Sequence, residues 1–174
     1  LFIEDTVALI HPPSQQAGER ARQLMVQAGS ARAAGDLSAM RRHLSEARVL
    51  LAGGEWTPEA AFVASLAIRP ACVAVDPSAP LMVEIGQRFA ASASGEGELT
   101  LEIGLRAKAP RGEVRWLASV LPRHHDLVEA PVRVILDLTG EDAGRHDIVV
   151  RAWLGETAMG MSAREIQLVP GLDR

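Results

Sequence analysis

The stretch LPRHHDLVEAP, residues 121–131, sets His124 and His125 side by side, with Asp126 and Glu129 just after them. Imidazoles and carboxylates are the groups that ligate a divalent metal or relay protons, so this stretch is the sharpest candidate for chemistry. A second grouping, Arg145-His146-Asp147, follows within AGRHDIVV at 143–150. Zinc needs three or four ligands converging on one point. If 132–138 and 146–154 pair as a hairpin about the turn 139–145, the two groupings sit at its opposite ends. Seven residues at about 3.3 Å each then part them by roughly 23 Å, too far for one site. In an extended segment His124 and His125 also point to opposite faces. His124, His125, Asp126 and Glu129 could hold a metal only as a bent loop, and a solvated connection is the favoured reading.

Other chemistries lack their signatures. GMSAR at 160–164 offers Ser162 but not the closing Gly of a Gly-x-Ser-x-Gly elbow. GEGE at 95–98 lacks the Lys-Ser/Thr and the following helix of a phosphate loop. Glu141-Asp142 supplies too few oxygens for a dedicated calcium loop. Cys72 is the one cysteine of the chain, which rules out an internal disulfide. Between Ala71 and Val73 it reads as a buried, inert thiol. His11 reads as part of an N-terminal arm and His43 as solvated on an Arg-rich helix. The expectation is therefore no enzyme: no catalytic residue, no metal and no cofactor.

These residues must be held by something, and composition says what kind of body can hold them. The chain has 174 residues, 48% hydrophobic and 23% charged, enough for one ordinary domain or two small ones. The core must be built from Ala, Val and Leu, because Phe and Trp contribute three residues each and Tyr none. The net charge is −4 and the basic residues are dispersed, which argues against nucleic acid as a partner. No stretch approaches the roughly 18 consecutive apolar residues of a membrane span. LFIEDTVALI carries Glu4 and Asp5 with no basic segment before it, so it does not read as an intact signal peptide. A periplasmic or secreted location is favoured, with the cytoplasm as the alternative.

Two periods divide the chain. Residues 15–69 read as helix. Ala17, Ala21, Leu24, Ala28 and Ala31 form one apolar stripe; Leu37, Met40, Leu44, Ala47 and Leu51 form another. Gly35-Asp36 makes the turn between them, Asp36 caps the second helix and Gly53-Gly54 stops it. A third, short helix begins at TPEAAFVASLAIRP, where Thr57 caps, Pro58 takes the first position and Pro70 ends the run. From Cys72 on, the period becomes two. In ELTLEIGLRA, Leu99, Leu101, Ile103 and Leu105 alternate with polar residues, as a half-buried strand requires. Strands are also predicted at 72–76, 81–89, 113–121, 132–138, 146–154 and 161–169. The fold class is α+β: a helical hairpin and third short helix, then an antiparallel sandwich of about seven strands. The predicted organisation is an arm at 1–14, a helical region at 15–70, a sandwich at 71–170 and a tail at 171–174.

The segment APVRVILDLTGEDAGRHDIVVRAWLG (130–155) resembles the immunoglobulin-like and fibronectin-type sandwiches of bacterial accessory domains. That resemblance implies a contact module, without the cysteine pair or tyrosine corner of antibody domains. The helical hairpin is similar to a single tetratricopeptide-type unit, with no second copy at a spacing of about 34 residues. Helices, then GEWTPEA, then a sandwich ending LVPGLDR are similar to the non-catalytic N-terminal region of secreted bacterial serine hydrolases. That likeness would put an esterase or peptidase site downstream of Arg174. A carbohydrate-binding sandwich is a further alternative, disfavoured because Trp56, Trp116 and Trp153 are the only large candidates to stack on a sugar.

The surface most open to a partner is read from strand faces. On 146–154, Asp147, Val149, Arg151 and Trp153 share the nominally outer face, and Trp116 and Leu117 adjoin on 113–121. An apolar outer face is covered by something, either the helical half or a partner protein or neighbouring domain. Trp116, Leu117, Val149 and Trp153 are the predicted interaction surface, and the expected partner is a protein or a neighbouring domain of the same polypeptide.

Overall fold

The computed structural model describes residues 14–123 and 127–172. Within these, three helices precede eight strands in the chain: α1 (Gln15–Ala33), α2 (Leu37–Leu51), α3 (Pro58–Ser65), β1 (Leu66–Pro70), β2 (Ala74–Val75), β3 (Leu81–Gln87), β4 (Leu99–Ala107), β5 (Arg115–Val120), β6 (Val132–Leu136), β7 (Gly144–Leu154) and β8 (Thr157–Leu168). The chain is α+β and falls into two compact units, one made of the residues up to Ser65 together with Arg88–Ser94, the other of 66–87 and the residues from Gly95 on.

The helical unit follows its local signals. Ser14 Oγ accepts from Ala17 N at the start of α1, and Asp36 Oδ1 accepts from Ala39 N at the start of α2. Gly35 adopts φ 78°, and Asp36 N reaches back to Ala31 O, closing α1 in the left-handed turn that only glycine takes cheaply. Ala21, Leu24 and Ala47 form the buried centre of the hairpin, with Leu50 and Leu51 packed on it. Small residues at the crossing let the helix axes approach closely. The second stripe is only half used: Leu37 and Leu44 remain about half exposed. Phe62 and Phe89 are buried in this unit.

The β unit contains a three-stranded sheet ordered β1-β3-β6 and a five-stranded sheet ordered β2-β8-β7-β4-β5. Leu81, Val83 and Ile85 are buried on one face of the small sheet, and Leu99, Leu101, Ile103, Leu105, Ile148, Val150, Ala152 and Leu154 on one face of the large one. Removing each Val, Leu or Ile side chain among these from water contributes about 1.5–3 kcal/mol, and this alternation is what fixes register.

Three expectations are corrected. The third helix stops at Ser65, and Leu66–Pro70 is a strand paired antiparallel with β3. LAIRP fits either period; Ile68 opposite Ile85 settles it, because that pair buries both side chains. Strands β6 and β7 are not a hairpin but belong to different sheets. The link bends at Asp137–Gly140, where Asp137 Oδ1 accepts from Thr139 N, Leu138 is fully buried and Gly140 has φ 87°. The distance argument between the two histidine groupings therefore loses its footing. Finally, Cys72 is exposed, because β2 begins only at Ala74 and leaves Cys72 in the connection before it.

Candidate functional site

The outer face of the five-stranded sheet gathers the aromatic and charged side chains of the β unit. Register brings Glu102 of β4 opposite Arg151 of β7 on one side and Ser119 of β5 on the other, while Thr100 faces Trp153. Glu102 Oε2 accepts from Arg151 Nε at 2.7 Å and from the indole N–H of Trp153 at 2.6 Å. The Arg151 guanidinium carbon lies 4.2 Å from the centre of the Trp116 ring and 4.9 Å from that of Trp153. One carboxylate thus orients a cation held against two indoles. Each of these contacts fixes the next, and a partly exposed cation–π pair contributes about 0.5–1 kcal/mol. The Trp153 hydrogen bond, followed by Arg151, holds the Glu102 carboxyl below the usual carboxylate range, so it carries its charge at neutral pH.

Gly104 makes this arrangement fit. It lies opposite Trp116, where the β4–β5 register shifts between Ile103 and Gly104. A Cβ built on Gly104 would stand 2.6 Å from Val114 Cγ1, 2.7 Å from Arg115 O and 3.0 Å from Trp116 Cε3. Only hydrogen at this position lets the Trp116 ring and the bulged backbone settle onto the sheet. On the other side of Gly104 its register partner is Val149, which is 1% exposed. Further along the same face, Asp147 pairs with Arg106 at 3.0 Å and with Lys108 at 3.7 Å, and Lys108 also pairs with Glu165. Glu165, then Asp147, raise the Lys108 ammonium above its ordinary value.

Of the predicted interaction residues, Trp116, Leu117 and Trp153 are half-buried, and Val149 is buried. Trp116 and Trp153 come together around Arg151. The two residues that sequence reasoning did not single out, Glu102 and Gly104, are the ones that organise the group. Glycine inside an alternating strand was the available signal for close approach.

The histidine groupings do not assemble into a site among the described residues. His124, His125 and Asp126 lie outside the described residues, and Glu129 is exposed in the turn that follows them. His146 turns inward and is 3% exposed; its Nδ1 lies 3.2 Å from Gly144 O and its Nε2 3.7 Å from Glu141 Oε2. Glu141 is shared with Arg115. Asp147, the next residue, is on the opposite face. His43 is half-buried rather than solvated, and its Nδ1 has no hydrogen-bond partner among the described residues. Among those residues no group of three His, Cys, Asp or Glu is placed to hold a metal, and no helix is long and apolar enough to cross a membrane.

A separate groove of about 460 Å³ lies in the helical unit, lined by Arg42, Trp56, Thr57, Pro58, Ala61 and Ala90 to Ser92. It is shallow and open. Beside it Glu59 takes a hydrogen bond from Ser94, and backbone and side-chain donors lower its pKa from the ordinary glutamate range.

No family model and no curated protein matches the sequence. Among solved structures, a polysaccharide monooxygenase CBM33 is similar over 82% of this chain and 95% of its own, at 13% identity and a TM-score of 0.42. A Pseudomonas fluorescens alkylpurine DNA glycosylase bound to DNA containing an abasic-site analogue is similar over 83% of this chain, at 14% identity and a TM-score of 0.34. The chain spans 42% of that glycosylase's length. The expectation that the chain is not an enzyme is corrected on the first of these. That structure is an enzyme, and the expectation is withdrawn. The exclusion had leaned on missing local motifs, and sites assembled from distant strands need none. Likenesses this distant assign neither an activity nor a nucleic-acid partner to this chain.

Proposed function

We propose that this chain is an immunoglobulin-like contact module of a larger bacterial protein, and that it binds a protein or a neighbouring domain through the outer face of its five-stranded sheet. The observation that carries this reading is the Trp116–Arg151–Trp153 stack pinned by Glu102. Trp and Arg are the residue types that most often dominate binding energy at interfaces. Here they are half-exposed and already locked in place, so less side-chain entropy is lost when a partner closes over them. Met161, the register partner of Arg151 on β8, is 55% exposed and extends the apolar surface. A sugar is a poorer fit, since a sugar would stack on an indole and one face of each indole already holds the guanidinium.

The test is a photo-reactive side chain at Ser119, which is exposed on this face opposite Glu102, compared with one at Ile135 on the outer face of the small sheet. In cells of the source, the Ser119 probe is expected to cross-link one protein and the Ile135 probe is not. Equal labelling from both positions, or none from Ser119, rejects the reading. A Trp emission change on adding soluble oligosaccharides, lost in Trp153→Ala, would favour the carbohydrate alternative instead.

A further inference from the structure

The Arg151 guanidinium is held so that only one part of it can meet a ligand. A guanidinium carries its N–H donors in a single plane. Nε and Nη2 both point at Glu102 Oε2, each at 2.7 Å, which uses up one edge of the fork. Its two faces lie against the indoles of Trp116 and Trp153, at 4.2 and 4.9 Å from the ring centres. What remains is the terminal edge, where an N–H of Nη1 and the second N–H of Nη2 run parallel. Arg151 makes no further hydrogen bond or ion pair among the described residues, and 29% of its side-chain surface reaches solvent.

Two parallel donors in a fixed plane select their ligand by shape. A backbone carbonyl brings one oxygen, which parallel donors share only off their axes. A carboxylate brings two oxygens at the matching spacing and meets both. A phosphate dianion fits the charge poorly. Glu102 stands on the adjoining edge, and the next cations along the face, Arg106 and Lys108, are already paired with Asp147 and Glu165. A single cation on this face does serve two carboxylates, since Lys108 pairs with both Asp147 and Glu165. Around the open edge the surface is apolar: the two indoles, and Met161, the register partner of Arg151, which is 55% exposed. An apolar frame that sheds water strengthens a charge-assisted bond.

We infer that the partner of this face docks by laying the carboxylate of an Asp or Glu side chain in the plane of the Arg151 guanidinium, across its terminal edge. Apolar side chains beside that carboxylate meet Trp116, Trp153 and Met161. The inference rests on the reading of this face as the contact, and it adds the chemistry the partner presents there: one acidic residue set in an apolar patch. An amide in place of the carboxylate offers a single oxygen and turns an N–H toward an N–H, so it is rejected.

Two blocked peptides, Ac-Ala-Leu-Glu-Leu-Ala-NH2 and its Gln twin, test this on the full chain, with the indole N–H and Arg side-chain signals followed by NMR. The Glu peptide is expected to shift the signals of Arg151, Trp116 and Trp153. It is expected to bind at least about fivefold more tightly than the Gln peptide, the size of a partly exposed charge-assisted bond. Arg151→Lys keeps the charge but not the fork, and the preference for Glu is expected to vanish in it, with far-UV circular dichroism unchanged. In Arg164→Lys, at an exposed position on β8, the preference is expected to persist. Equal binding of the two peptides, a preference that survives Arg151→Lys, or no shift at the two indoles overturns the inference. The contact reading itself stands or falls separately, on the Ser119 cross-link. A Ser119 probe that captures one protein while the two peptides bind alike leaves the face a contact and removes the carboxylate from it.

Discussion

Replacing Gly104 by alanine adds one methyl group where the sheet has no room for it. The new Cβ would meet Arg115 O at 2.7 Å, and ordinary contact begins near 3.4 Å, so about 0.7 Å must be found. Val114 Cγ1 at 2.6 Å is a side-chain atom and can swing aside, but Arg115 O is backbone and moves only with β5. Overpacking of this kind costs about 1–3 kcal/mol. Alanine also restricts the unfolded chain, which returns about 0.4–1 kcal/mol if the backbone conformation suits it. The net expectation is a loss of about 1–2 kcal/mol. A second effect is local: Trp116 Cε3 sits 3.0 Å from the added carbon, so the ring must lift from Arg151. Urea unfolding followed by Trp emission reads both effects. Gly112→Ala is the control, because its added Cβ meets nothing closer than Ala107 Cβ at 3.7 Å, and it is expected within about 0.5 kcal/mol of wild type. Should Gly104→Ala match that control in stability and in emission, the close packing of Trp116 over Gly104 is wrong.

Further outcomes follow from the same contacts. Glu102→Ala strands the Arg151 cation and the Trp153 N–H in half-buried positions and is expected to cost about 1–3 kcal/mol, measured by urea unfolding. Glu102 has its pKa lowered in the folded chain, so its contribution is present above the ordinary glutamate value of about 4.3 and is lost as pH falls through the folded value. Wild type should therefore lose stability below that pH more steeply than Glu102→Gln, and parallel acid titrations would count against the network. Asp36→Ala removes the acceptor for Ala39 N and is expected to cost about 1 kcal/mol of helix stability by thermal circular dichroism, with Asp36→Asn nearly neutral. Leu101→Ala, at a fully buried position, is expected to cost about 2–5 kcal/mol in the same denaturation assay.

Period and punctuation made most of the elements legible. Asp36, Gly35 and Thr57 act locally, so their roles as caps and turns are written in neighbouring residues; Thr57 Oγ1, for one, accepts from Ala60 N. The alternation of Leu99 to Leu105 made β4 plain for the same reason. Pairing was less legible because it is a long-range property. Nothing within Asp137–Ala143 distinguishes a hairpin turn from a link between sheets, and the burial of Leu138 decides it. Strand β1 was hidden because five apolar-rich residues after a helix fit both periods. In the candidate site, alternation correctly set Arg151 and Trp153 on one face. The meeting with Trp116 depends on the register shift at Gly104, and the clamp by Glu102 on a residue 49 positions from Arg151. Val149 shares that face, yet it is buried in the folded sheet.

The most direct measurement is calorimetric titration of the protein captured through Ser119 against variants of the two sheet faces. If the indole face is the contact, Trp153→Ala and Arg151→Ala each weaken binding at least about tenfold, the size of an interface hot spot, while Ile135→Ser on the other sheet leaves affinity unchanged. Binding that ignores Trp153→Ala and Arg151→Ala but falls with Ile135→Ser would contradict the account.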